Sequence, residues 1–573
     1  MPSMKVAATT HQSALSGRLP WLIAAAWVAW QIGTRSATWT WGWDESMHAE
    51  LPAARIALYL RAGDLGGVFD AIHSCTQYPF VWPTLLGLAQ AAFGPSEAVA
   101  RSIGVLLFGL TMVGAYQLTR AVAQGLGMGA REGGCAAWGA FAACALSPLA
   151  AAYAGTLFHA VPSACVITWA LVAWTHRDPE RPSSDLLAGF AFALTFFTKF
   201  NYALLLGAVF TSDFLFEWLC AWRAGGDARK MWGRLLRLGL PMLLMCAWWF
   251  LFPLPGGAEV AAVHREAFLG FLIGNLETEY LSPARRLIEW ASGLHLHPRL
   301  LLLTLFGVAL GLRVVGKRGG HLLGAATLVP FAAIWAHPFH LDRFLVPFAP
   351  ALWTFAAIGL GGWLFKEGKL RKSAAPILLL ALLPLGGADS RALANAVGLL
   401  PAEGPMREYA QTKLEHLGEL GEGRRAPTSG LWSESAEALL DAIAGTVTPM
   451  ERVGWLGVSS ELSPAALHLG LLERGGEVER FLRDAHREID VTYFGVDPAW
   501  SDERLRDWAS SYEVILMTDP PDLGGRRARE FMRAYQERLL GLGWEPLLLG
   551  SFEWPTSTGE LRSVRLFASR PSS

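Results

Sequence analysis

The residues best suited to chemistry stand early in the chain, in Trp41-Gly42-Trp43-Asp44-Glu45-Ser46-Met47-His48. Two adjacent carboxylates, flanked by indoles and followed by an amphipathic stretch, suit a general base that takes a proton from a poor nucleophile such as a hydroxyl. Asp44, Glu45 and His48 together would also suit a divalent cation. A third reading is structural, with Asp44 capping a helix and Glu45 favouring its dipole. Lys199 is the other local candidate. It closes a long apolar run, where an ionisable side chain is by default functional, although a lysine there can also snorkel to the headgroups as an anchor.

These residues need a membrane to position them. Of 573 residues, 52% are hydrophobic and 17% charged, against about 25% charged in ordinary soluble chains, and the apolar residues concentrate before residue 390. A net charge of −1 gives no basic field for nucleic acid. A bilayer core needs roughly 20 helical residues, and the apolar runs predict about eleven transmembrane helices, at 19–37, 97–120, 134–154, 156–175, 185–200, 202–221, 235–253, 298–315, 321–337, 343–365 and 373–389. The first is read as an uncleaved anchor, because it is tryptophan-rich and lacks a small-residue cleavage site. Alternate loops carry Arg120 and Arg131; Arg177 and Arg181; Arg223, Arg229, Lys230 and Arg234; Arg313, Lys317 and Arg318; and Lys366, Lys369, Arg371 and Lys372. Basic short loops stay in the cytoplasm. The parity of eleven spans then puts the N-terminus inside and residues 38–96, 254–297, 338–342 and the tail outside. Within 38–96, Met47, Leu51, Ala54 and Leu58 fall at helical spacing, which predicts an interfacial helix begun or kinked by Pro52. A second interfacial helix is expected over 79–93.

The expected domains are therefore a membrane catalytic domain over 1–389 and an extracytoplasmic α/β domain over 390–573. In the tail, strand-like runs at 452–458, 489–494, 514–517, 546–549 and 563–568 alternate with helical ones at 464–474, 502–512 and 526–542. It contains no GxGxxG, GxxxxGK[ST] or GxSxG, so no phosphate loop or nucleophile elbow is offered. All six cysteines lie at or before Cys246, so the tail can hold no disulfide framework. Asn201, Asn275 and Asn395 are the only asparagines, and none begins an Asn-x-Ser/Thr sequon.

Several further segments carry a resemblance. Asp44-Glu45 after the first span, Tyr78-Pro79, Phe93-Gly94-Pro95-Ser96-Glu97 leading to Ala100-Arg101-Ser102, Leu146-Ser147-Pro148-Leu149, Phe197-Thr198-Lys199-Phe200-Asn201-Tyr202-Ala203-Leu204 and Asp342-Arg343-Phe344-Leu345-Val346-Pro347 follow one another in an order similar to that of the protein O-mannosyltransferase-like branch of the GT-C glycosyltransferases. The resemblance covers about residues 40–360. It implies a transferase that takes a sugar from a polyprenyl-phosphate carrier in the outer leaflet and places it on a hydroxyl acceptor. The donor is a lipid phosphate, which accounts for a family without a nucleotide-binding domain. Carried over residue by residue, Asp44 becomes the base on the acceptor, Glu45 its neighbour, and Arg101 a phosphate-facing arginine.

Physical chemistry supports the same roles. An inverting displacement at the anomeric carbon gains from a carboxylate on the attacking hydroxyl, and the departing phosphate gains from fixed cations. Arg101, Lys199 and Arg343, with His340 beside the last, are the donor-phosphate candidates. Arg101 and Arg343 would otherwise anchor helix ends, and His48, His337 and His340 would otherwise be polar loop residues, since no ligand-spaced cluster is seen. A cofactor is not specified by the sequence beyond the divalent cation already raised. Aminoarabinose-transferring relatives carry a lysine before the Tyr/Pro-Pro segment, whereas this chain reads Cys75-Thr76-Gln77-Tyr78-Pro79, which argues against that donor. The excess of Arg over Lys with abundant Ala and Gly fits a GC-rich bacterium, hence undecaprenyl phosphate in the inner membrane. The alternatives are a transporter or flippase for a lipid-linked molecule, which would show internal repeats or broken helices, and a non-catalytic partner of a membrane transferase.

Overall fold

The computed structural model of the chain describes residues 3–34, 49–73, 75, 79–94, 97–147, 153–178, 180–225, 228–251, 298–336, 344–366, 369–370, 438–443, 445–446, 453–458, 501–510, 512–522, 536–555 and 561–571. Helices dominate: α1 (Ser3–Thr34), α2 (Leu51–Ala62), α3 (Leu65–His73), α4 (Val81–Phe93), α5 (Glu97–Gly125), α6 (Ala130–Ala145), α7 (Ala160–Thr175), α8 (Pro182–Phe196), α9 (Phe200–Arg223), α10 (Ala228–Leu251), α11 (Pro298–Gly311), α12 (Arg318–Ala336) and α13 (Ala349–Leu364). The expected spans from 19–37 to 343–365 each overlap one of them, in order α1 and α5 to α13, and 373–389 lies outside the described residues. Among the described helices, Ala98–Gly125 and Phe200–Arg223 are long and apolar enough to cross a membrane, while α4, α7, Leu303–Val314 and α13 are shorter apolar helices.

One boundary needs correction. The helix expected over 134–154 ends at Ala145, Tyr153 and Ala154 are again helical, and α7 begins at Ala160. Proline following Ser147 disfavours helix for the residue before it, and Gly155–His159 forms the connection into α7. The division expected near residue 200 does occur. Thr195 and Thr198 turn their hydroxyls back onto the carbonyls of Ala191 and Leu194, and Lys199 is extended, so α8 ends and α9 starts within three residues.

The chain divides into two compact units, one of Met1–Arg35, Phe69–Trp82 and Arg101–Gly423, the other of Ser36–Val68, Pro83–Ala100 and Arg424–Ser573. The first is a helical bundle in which α13 packs against α6, α11 and α12, and α8 against α7, α9 and α10. Its core runs through Phe108, Met112, Leu118, Leu171, Leu206, Leu323 and Phe355, all buried. Small residues let backbones touch, as is usual between membrane helices. A Cβ on Gly307 would stand 2.6 Å from the Ala356 carbonyl, so α11 and α13 approach this closely only through glycine.

A buried ionic network ties one end of this bundle together. The Arg177 guanidinium, just past α7, lies 3.5 Å above the Trp174 ring and pairs with Glu217 at 2.9 Å and Asp213 at 3.5 Å, both on α9. Trp174 Nε1 donates to Asp213 at 2.8 Å. Arg234 of α10 reaches Asp185 of α8 at 3.2 Å and Glu217 at 3.4 Å, Arg237 reaches Asp185 at 3.1 Å, and Arg318 of α12 reaches Glu217 at 2.6 Å. Burial pushes the Arg177 guanidinium down to about 10, with Glu217 the chief opposing influence.

In the second unit, α2 packs on α4. Gln90 Nε2 donates to the buried Glu50 carboxylate at 2.5 Å, and Arg61 donates to the carbonyls of Ala91 and Gln90 at 3.1 and 3.2 Å. Pro52 occupies the first turn of α2, directly after the π-helical Ala49 and Glu50. Farther along lie β3 (Val453–Val458), β4 (Val514–Asp522), β5 (Trp544–Pro555) and β6 (Leu561–Pro571), after a two-stranded pair, β1 (Phe365–Lys366) with β2 (Lys369–Leu370), in the first unit. The sheet order is β3-β4-β6-β5, with β3 parallel to β4 and the other pairs antiparallel. Val564, Leu566 and Ala568 alternate inward along β6, the period-two pattern of a strand with one buried face. The strand expected at 489–494 and the helix at 464–474 fall outside the described residues.

Candidate functional site

Hydrogen bonds in the first unit gather four segments at the end of the bundle opposite the ionic network. Val81 N donates to Phe197 O at 3.0 Å. The next residue, Trp82, is fully buried and donates its Nε1 to Leu157 O at 2.9 Å. Arg101 Nη1, in the first turns of α5, donates to Gly155 O at 2.7 Å. A Cβ on Gly104 would meet the Ala154 carbonyl at 2.6 Å, so the segment leading into α7 lies directly on α5. Around Phe80 pack Phe197, Trp248 and Trp249, at ring distances of 5.2, 5.3 and 4.8 Å. His73 stacks on Trp249 at 5.0 Å.

Lys199 occupies the N-cap of α9 and is only 9% exposed. Its backbone is fixed on both sides, its amide bonding Thr195 O at 3.0 Å and its carbonyl receiving Ala203 N at 3.2 Å. A helix N-terminus already carries about half a positive charge and favours anions. A lysine there adds its charge to the same end of the helix, and the two together favour a bound anion. Arg101 is half-buried and pinned to the connection by one of its five donors.

Of the residues that the sequence singles out, Arg101 and Lys199 are thus brought into one hydrogen-bonded neighbourhood through Val81, Trp82, Gly155 and Phe197. Asp44, Glu45, His48, His337, His340 and Arg343 lie outside the described residues. Among the described residues no three His, Cys, Asp or Glu side chains are grouped to hold a metal ion. Sequence reasoning missed His159, which is 5% exposed at the N-cap of α7. The available signal was an ionisable residue inside an expected span, the same signal that would have found Asp213 and Glu217.

No family model and no curated protein matches the sequence. By structure, the chain is similar to ArnT from Cupriavidus metallidurans in the apo state, at 14% identity and TM-score 0.53 over 98% of both chains. The same enzyme bound to undecaprenyl phosphate matches at 16% identity and TM-score 0.56, covering 96% of this chain and 97% of that one. This is the GT-C fold. Within the GT-C fold, the arabinofuranosyltransferase AftD from Mycobacteria is also similar, at 16% identity and TM-score 0.51, over 97% of this chain but 40% of that one. The likeness extends over the tail as well as the bundle. It accounts for a mostly helical chain.

Proposed function

We propose that this chain is an integral-membrane glycosyltransferase that moves a sugar from a polyprenyl-phosphate donor to a hydroxyl acceptor on the outer side of the membrane. The observation that carries this reading is the likeness, along nearly the whole chain, to an ArnT structure bound to undecaprenyl phosphate. The buried Lys199 at a helix N-terminus, in one neighbourhood with Arg101, supports it.

In this reading the acceptor hydroxyl gives its proton to Asp44, with Glu45 positioning Asp44 or a divalent cation. The oxygen bonds to the anomeric carbon as the bond from that carbon to the phosphate oxygen breaks, and configuration inverts. The lipid phosphate leaves with the electron pair and is stabilised by Arg101, Lys199, Arg343 and His340. Residues 390–573 form an extracytoplasmic domain that presents the acceptor, and 38–96 carry interfacial helices beside the donor. The carrier is undecaprenyl phosphate and the setting a bacterial inner membrane, as the composition indicates. Purified full-length protein incubated with a panel of polyprenyl-phosphate sugars and candidate hydroxyl acceptors should release free lipid phosphate with at least one of them. A protein that binds the lipids yet releases none would favour a transporter or a non-catalytic partner.

A further inference from the structure

Two helices of the first unit begin at the same end of the bundle. α9 begins at Lys199 and α7 at His159, and consecutive residues bridge the approaches to both, Val81 N on Phe197 O at 3.0 Å and Trp82 Nε1 on Leu157 O at 2.9 Å. The connection leading into α7 is held on its other side by Arg101 on Gly155 O and by the close approach at Gly104. His159 therefore stands on a rigidly pinned backbone at a positive helix end. In the first turn of α7, Ser163 closes the first intrahelical bond onto His159 O at 3.0 Å. Helix geometry leaves the amides of Ala160 and Val161 outside the ladder, and Pro162 has none.

Ser163 supplies the second, independent sign of a ligand. It is 0% exposed, yet its Oγ makes no hydrogen bond among the described residues. Most buried serines bond a backbone carbonyl one turn back, as Thr168 does here to Ala164 O at 2.6 Å. An orphaned buried hydroxyl destabilises the fold unless something else satisfies it. Four residues apart, His159 and Ser163 share one face of α7.

We propose that His159 and Ser163 are additional phosphate-binding residues, which contact the phosphate group of the lipid donor at the N-terminus of α7 while Lys199 contacts it from α9. The inference rests on the proposed function and deepens it. Two helix N-termini, an imidazole, a hydroxyl and an ammonium then converge on one anion, and the orphaned hydroxyl gains its partner on binding. Inorganic phosphate has the same headgroup chemistry without the chain.

The test measures binding of a short-chain polyprenyl phosphate to the full-length protein in detergent, with polyprenol and inorganic phosphate as separate arms and thermal stability recorded for every variant. Ser163→Ala should weaken polyprenyl-phosphate binding several-fold while leaving the melting temperature equal or higher, because it removes an unsatisfied buried group. His159→Gln keeps a donor and should bind better than His159→Phe, which keeps the ring volume and loses both nitrogens. The Phe variant should lose roughly tenfold or more in affinity. A packing role predicts the reverse order. Polyprenol should bind more weakly than the phosphate and be indifferent to all three changes; inorganic phosphate binding that equals the lipid's would overturn the assignment to the donor. If the wild-type protein binds the lipid and all variants bind it equally, this inference fails alone. If the wild type binds no polyprenyl phosphate, the proposed function fails with it.

Discussion

The ionic network at one end of the bundle makes a quantitative prediction about which of its members matters most. Four arginines (177, 234, 237 and 318) meet three carboxylates (Asp185, Asp213 and Glu217), a net of +1. Glu217 is the hub, pairing with Arg177 at 2.9 Å, Arg234 at 3.4 Å and Arg318 at 2.6 Å, with a side chain 9% exposed. Glu217→Gln leaves four arginines against two carboxylates, so the buried charge rises to +2. Breaking a buried pair by removing one partner costs about 3–5 kcal/mol; Arg318, half-exposed, contributes little of that. Arg177→Met instead leaves three against three, and Asp213 keeps its bond from Trp174, so the loss should be smaller, about 1–3 kcal/mol. The double variant should cost clearly less than the sum, since contacting residues couple by about 0.5–3 kcal/mol. Denaturant unfolding in a fixed detergent would read all three, with Arg181→Ala as control, because the Arg181–Asp178 pair is mostly exposed and worth about 0–1 kcal/mol. Additivity within about 0.5 kcal/mol, or an Arg177→Met protein less stable than Glu217→Gln, would refute the charge-balance argument. Turnover per folded molecule should stay unchanged, because the network lies away from Arg101 and Lys199.

Asp44→Asn caps a helix about as well as Asp but accepts no proton; turnover should fall by about 10²–10⁴-fold with the melting temperature unchanged, and near-normal activity would remove Asp44 as base. Lys199→Ala and Arg343→Ala should raise donor KM or lower turnover far more than they alter acceptor use, and Arg343→Lys should not restore function, since an ammonium lacks the planar fork. Unchanged steady-state kinetics would return both residues to anchoring roles. A reporter active only in the cytoplasm, fused after Ser573, should stay silent in cells; a bright fusion would reverse the topology and place the acidic pair on the wrong side of the membrane.

Hydropathy along the chain was enough to locate the helices of the bundle, because burying a bilayer-length helix demands a continuous apolar run wherever it sits. The break at Phe197–Lys199 was legible too, since a lysine and two threonines interrupt that run locally. The short motifs led to Arg101 and Lys199 by residue type and order. Tertiary structure alone decided what those residues touch. Arg101 bonds a carbonyl at Gly155 and Trp82 one at Leu157, and backbone acceptors leave no trace in side-chain identity. The start of α7 at Ala160 puts His159, which falls within the expected span 156–175, at a helix N-cap. Asp185, Asp213 and Glu217 lie at or within apolar spans, and their arginines come from α10, α12 and the turn after α7, 17 to 52 residues away in most pairings. A one-dimensional pattern records how much apolar surface each segment must bury. Which buried charge meets which partner depends on helix crossings that no single segment encodes.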